Sequence, residues 1–127
     1  MIKKSFPLIC ILFFFNGFSQ NLIEKNLDSD MLGTKRKIKI YLPKGYEEED
    51  GKNYPLAIVF DAEYLFDTYV GNSILFAAKD KAPKQIVVGI SMEKTRKKDT
   101  YFNTSNGKLT ASNIAFYQFV RDEVLFY

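Results

Sequence analysis

Apolar and polar residues alternate most regularly at 35–42, KRKIKIYL, where Lys37, Lys39 and Tyr41 interleave with Ile38, Ile40 and Leu42. A period of two predicts a strand with one face buried and the other turned to water. Residues 21–34 ahead of it read as a polar lead-in. Pro43 opens the segment PKGYEEEDGKNYP, whose Pro, Gly and acidic run predict a surface connection. The pattern then changes: Leu56, Ala57, Ile58, Val59 and Phe60 are apolar at consecutive positions, as in a central strand with both faces covered by helices. Over 64–79 the apolar residues Leu65, Phe66, Tyr69, Val70, Leu75, Phe76 and Ala78 return near helical spacing, with Gly71 and Asn72 weakening the middle. Pro83 ends this crossover, and QIVVGIS at 85–91 predicts a third strand of the same buried kind. A last helix over 112–127 places Phe116, Val120, Val124 and Tyr127 on one face.

A strand, a crossover helix and a further buried strand make the unit of a parallel sheet with a right-handed connection, so the predicted fold class is α/β. In open sheets of this kind, ligands and catalytic groups gather beyond the carboxyl ends of the strands. Those ends are Asp61, Ala62 and Glu63 after one strand and residues 91–95 after the next. Asp61 and Glu63, two apart on an extended segment, would point the same way. Carboxylates on a loop are ordinarily solvated, and the sequence places no further acid beside this pair. The absence of histidine from the chain speaks against a metal site there. Ser91 closes the third strand, but GIS lacks the G-x-S-x-G turn that exposes a nucleophilic serine, so it is not read as catalytic.

The 127 residues are 46% hydrophobic, with 12 Phe and 8 Tyr, the make-up of one packed domain. No repeat, low-complexity tract or Pro/Gly/Ser-rich linker divides it. Lys3 and Lys4 precede an apolar run at 6–15 that is too short to span a bilayer, and Gly17-Phe18-Ser19 supplies a small-x-small site. Residues 1–19 are therefore expected to be a secretory signal peptide, with 20–127 exported to the periplasm or the medium and beginning at Gln20. The single cysteine, Cys10, lies inside the apolar run without the small residue that normally precedes a lipidated cysteine. No lipid anchor, disulfide or thiolate metal site is expected. The 18 basic residues include Lys3 and Lys4, so the exported part would carry 16 against 15 acidic residues, a balance that implies no nucleic-acid partner. The basic stretches at 35–39 and 94–98 fit solvated faces.

In order and spacing, KRKIKIYLPKGY, YPLAIVFDAEYLF, IVVGI with the following Arg96-x-x-Asp99 of TRKKDTYF, and FYQFVRDEVLFY resemble one family. It is the esterase family of the α/β-hydrolase superfamily that includes esterase D and the enterochelin (siderophore) esterases. The resemblance implies the N-terminal part of an α/β-hydrolase sheet with crossover helices, truncated before the nucleophile elbow. It makes Asp61, Ala62 and Glu63 an oxyanion loop, which stabilises the tetrahedral oxyanion through a backbone N–H rather than through the carboxylates. Ala62 stands where relatives usually carry Gly after the Asp. Arg96 and Asp99 match an arginine and an aspartate expected to pair and brace the site. The resemblance puts the serine, acid and histidine beyond Tyr127. This chain is then expected to hold no catalytic residue, metal ligand or cofactor and to be inactive alone. The parent protein would transfer the acyl group of a small-molecule carboxylic ester to serine and hydrolyse it. Two other readings stay open. One is a non-catalytic α/β module that binds a sugar or peptide at the same sheet end, among Tyr64, Phe66, Tyr101 and Phe102. The other is a degenerate fragment without function.

Overall fold

The computed structural model describes residues 21–46 and 51–126. The expected signal peptide with Cys10, the acidic run at 47–50 and Tyr127 lie outside the described residues. In chain order the elements are β1 (Asn21–Ser29), β2 (Thr34–Leu42), β3 (Leu56–Phe60), α1 (Ala62–Ala78), β4 (Ile86–Ile90) and α2 (Arg96–Thr100). A two-stranded ribbon, β5 (Phe102–Asn103) and β6 (Lys108–Leu109), follows, then α3 (Ala111–Gln118), which runs into a π-helical turn, Phe119–Val124. Four strands form one sheet in the order β1-β2-β4-β3. β1 and β4 both lie antiparallel to β2, and β3 and β4 run parallel, as the β3-α1-β4 crossover requires.

Period two sorts β4 cleanly between two cores. Val88 and Ile90 face α3 and the π turn, packing with Ile38, Met92, Phe116, Phe119 and Val124. Val87 faces α1 and packs with Tyr41, Val59, Ala62, Phe66 and Val70. Both faces of the sheet are thus covered, and β4 carries the consecutive apolar residues that this demands. Phe66, with no exposed surface, anchors the α1 side; burying a side chain of that size stabilises a fold by about 1.5–3 kcal/mol.

Several expectations are corrected. Residues 21–29 are a strand, not a polar lead-in: β1 sits on the edge of the sheet with most side chains in water, so it carries no burial pattern and is defined by its ladder with β2. Among the described residues β3 has a neighbour on one side alone, so it is an edge strand rather than a central one, and Leu56 and Phe60 are exposed. The strand β2 does alternate, but its second face is only partly wet, because α1 lies across Tyr41 and buries it. The crossover helix begins two residues early, at Ala62, and runs through Gly71 and Asn72 without a break. The last helix changes winding at Phe119. The i to i+5 bonding of the π turn rotates its residues, so Phe116, Phe119 and Val124 are buried where the α-period put Phe116, Val120 and Val124. The basic stretch Lys94 to Lys98 runs into the short helix α2, whose first three residues it supplies.

Candidate functional site

β3 and β4 end side by side, and the chain leaves them toward opposite faces: α1 follows β3 onto one face, and α3 follows β4 onto the other. The two exits meet beyond the carboxyl ends of these strands, the place where open α/β sheets bind ligands. Asp61, Ala62 and Glu63 stand on one side and Ser91 to Arg96 on the other.

The two carboxylates do not lie on an extended segment. Asp61 takes a left-handed conformation (φ 52°, ψ 48°) that turns the strand sharply into α1, and Ala62 and Glu63 already belong to the first helical turn. A short polar residue tolerates this conformation, so the glycine-like backbone falls on Asp61 and leaves Ala62 at ease in the helix. The Asp61 carbonyl accepts from the N–H groups of Tyr64 at 3.0 Å and Leu65 at 3.1 Å. The amides of Ala62 and Glu63 therefore precede the first bond of the helix, which makes no use of them.

Each carboxylate bonds to the segment that follows β4. Asp61 is paired with the Arg96 guanidinium, which donates to its Oδ2. Glu63 accepts from the Ser91 hydroxyl, from the Glu93 N–H at 2.9 Å and, longer, from the Met92 N–H at 3.4 Å. Partial burial pushes the Glu63 carboxyl up. The Ser91 hydroxyl and the backbone N–H groups, including its own, outweigh that and hold it below its ordinary value. Ser91 is thus a donor to Glu63.

Arg96 and Asp99 are both in the site's frame, but they do not pair with each other. Asp99 is buried and meets Arg36 of β2, whose Nη1 donates to Asp99 Oδ2 at 2.6 Å and whose Nη2 donates to Oδ1 at 3.3 Å. Arg36 was read as part of a solvated basic strand. Its position has the same parity as Ile38 and Ile40, and that parity was the available signal that it faces the core. Among the described residues no group of three or more His, Cys, Asp or Glu is arranged to hold a metal ion, and no helix is long and apolar enough to cross a membrane.

The family described as "Putative esterase" matches residues 29–127. No curated protein sequence matches the chain. Among solved structures it is similar to an uncharacterised protein from Capnocytophaga ochracea DSM 7271, at 30% identity and a TM-score of 0.75, over 84% of this chain and 28% of that one. It is also similar to an IroE-like serine hydrolase from Shewanella oneidensis, at 23% identity and a TM-score of 0.63, over 82% of this chain and 36% of that one. A third likeness is to the enterobactin esterase FES from Shigella flexneri, solved in the presence of enterobactin, at 18% identity and a TM-score of 0.60, over 82% and 25%. The chain spans between 25% and 36% of the length of these three structures. The last two likenesses carry the fold, and the family match covers β2, β3 and β4 and the turn that ends β3: this chain belongs to the esterase family, with the α/β-hydrolase fold.

Proposed function

We propose that the chain is the N-terminal part of an exported serine esterase that acts on small-molecule carboxylic esters, and that its own contribution to catalysis is the oxyanion loop at Asp61, Ala62 and Glu63. Residues 1–19 would direct export to the periplasm or the medium and be removed. The nucleophile, acid and histidine of the mechanism would be supplied by sequence after Tyr127.

The β3–α1 turn carries this reading. It leaves the Ala62 amide unused by the helix beyond the strand ends, on a backbone fixed by Arg96 at Asp61 and by the β4–α2 turn at Glu63, whose own amide turns to its carboxylate. An ester under attack develops negative charge on its carbonyl oxygen, and N–H donors already fixed in place stabilise that charge without reorganising. Asp61 and Glu63 are both engaged by donors, and those on Glu63 hold its carboxyl below its ordinary value. Neighbouring folds named as a ferulic acid esterase and a siderophore hydrolase agree with a small ester as substrate.

The test compares backbone with carboxylates in a chain extended through the downstream reading frame. Ala62→Pro removes one N–H at a helix position that has no use for it. It should lower kcat on p-nitrophenyl acetate by roughly 10² to 10³, while Ala62→Gly, which keeps the N–H, and Glu63→Gln lose far less. The 127-residue chain alone should show no turnover. Turnover by that chain, or loss of activity in Glu63→Gln with Ala62→Pro unaffected, would reverse the assignment.

A further inference from the structure

Arg36 is the most deeply buried cation described in the chain, with 6% of its side chain exposed against 3% for Asp99. A pair at this depth is weak evidence for stability, since apolar replacements of similar volume often serve as well or better. What sets this pair apart is where the guanidinium reaches. Besides Asp99, Nη1 donates to the Ser91 carbonyl at 3.1 Å and to Thr95 Oγ1 at 2.8 Å. One nitrogen from β2 thus joins both ends of the β4–α2 turn, Ser91 and Thr95, to Asp99 of α2. The same turn makes the contacts to the candidate loop. Ser91, whose carbonyl Arg36 holds, gives its hydroxyl to Glu63. Thr95, whose hydroxyl Arg36 holds, directly precedes Arg96, which holds Asp61. The Asp99 carbonyl is in turn tied to α3 by Asn113 Nδ2 at 3.2 Å.

We propose that Arg36 is a positioning residue: it fixes the β4–α2 turn and, through Ser91 and Arg96, the backbone of the Asp61–Glu63 loop. The mechanical part stands on these contacts alone; its consequence for catalysis rests on the oxyanion-loop reading. A lysine offers a point charge in place of a planar fork and gives up the second, Nη2 bond to Asp99, so Arg36→Lys is not conservative here.

Isotope-labelled Arg36→Lys and the apolar double variant Arg36→Met/Asp99→Leu are compared with the parent by NMR. Neither substitution touches Glu63. In variants that keep dispersed β-sheet signals, the Glu93 amide should exchange roughly tenfold faster, as on loss of a hydrogen bond to a charged group, and the Glu63 carboxyl should titrate closer to its ordinary value. Should both variants unfold, Thr95→Val and Asp99→Asn are read in the same way and should move both signals in the same direction by less. Folded variants with Glu93 exchange and Glu63 titration unchanged would overturn the proposal. In the extended chain, Arg36→Lys should lower kcat on p-nitrophenyl acetate with KM nearly constant, and an unmoved kcat would overturn the catalytic consequence. If the NMR signals move but the extended chain has no esterase activity, the proposed function fails and the positioning role of Arg36 stands.

Discussion

Gly89 shapes the site by what it lacks. A Cβ there would lie 2.4 Å from Cδ2 of Phe66 and 2.9 Å from the Ala62 Cβ, and Phe66 is fully enclosed with no room to give way. Gly89→Ala should therefore destabilise the chain by about 1–3 kcal/mol in urea denaturation; a neutral result would mean that α1 does not pack this closely on β4. Because the displaced neighbours are Ala62 and Phe66, the same substitution should disturb the start of α1. The Glu63 clamp gives a pH signature. A carboxyl held lower in the folded state than in the unfolded chain contributes stability that is complete above its unfolded value and lost as pH falls through the folded one. Thermal melts taken from neutral pH down through the acid side of the carboxylate range should show a loss that is smaller in Glu63→Gln. Equal losses would remove the clamp from the account. At this scale the sequence was legible where parity was followed: Ile38 and Ile40 were placed inward, and Arg36 obeys the same count. It was missed because a run of basic residues reads as solvated unless a partner is known, and Asp99 is 63 positions away.

Elements were legible where burial imposes a period. Two-sided burial made β4 visible as an apolar run, and α1 appeared as a helical repeat. β1 was invisible because an edge strand is specified by its ladder and by cross-strand ion pairs such as Lys37 with Glu24, not by side chains in a core. The small β5/β6 ribbon and the five-residue α2 are too short for any period to register. If β4 is covered on both faces, Val88→Asp buries an unpaired carboxylate against Phe116 and Phe119, and Val59→Asp does so beneath α1; each costs several kcal/mol. Either variant retaining the parent's melting temperature would sink the two-sided sheet. The start of α3 makes a gentler test. Thr110 accepts from the Asn113 N–H at 3.2 Å as an N-cap, and Thr110→Ala should cost about 1 kcal/mol.

For the molecule as a whole, handedness links the two cores to the edge of β3 that no described strand covers. The chain moves from β3 to β4 with α1 on one face, and it then leaves β4 with α3 on the other. Parallel crossovers are right-handed almost without exception, so reversing the face reverses the direction of travel. Any parallel strand that follows α3 is therefore sent back past β4 toward β3, since β2 already occupies the opposite side of β4. Its landing place is the edge of β3, where Leu56 and Phe60 are exposed and the Phe60 ring already touches Phe116, at 5.6 Å between centroids. An open edge with apolar side chains invites pairing between molecules unless another strand covers it. In the 127-residue chain, then, alternate amides of β3 should exchange fast, those turned away from β4, while the others are protected. In a chain extended through the downstream reading frame, both sets should be protected and Leu56 should leave solvent. Hydrogen exchange resolved by residue decides it: protection confined to one set of β3 amides in the extended chain would mean that the next strand goes elsewhere and that the β3–α1 turn at Asp61 does not lie at the centre of the sheet.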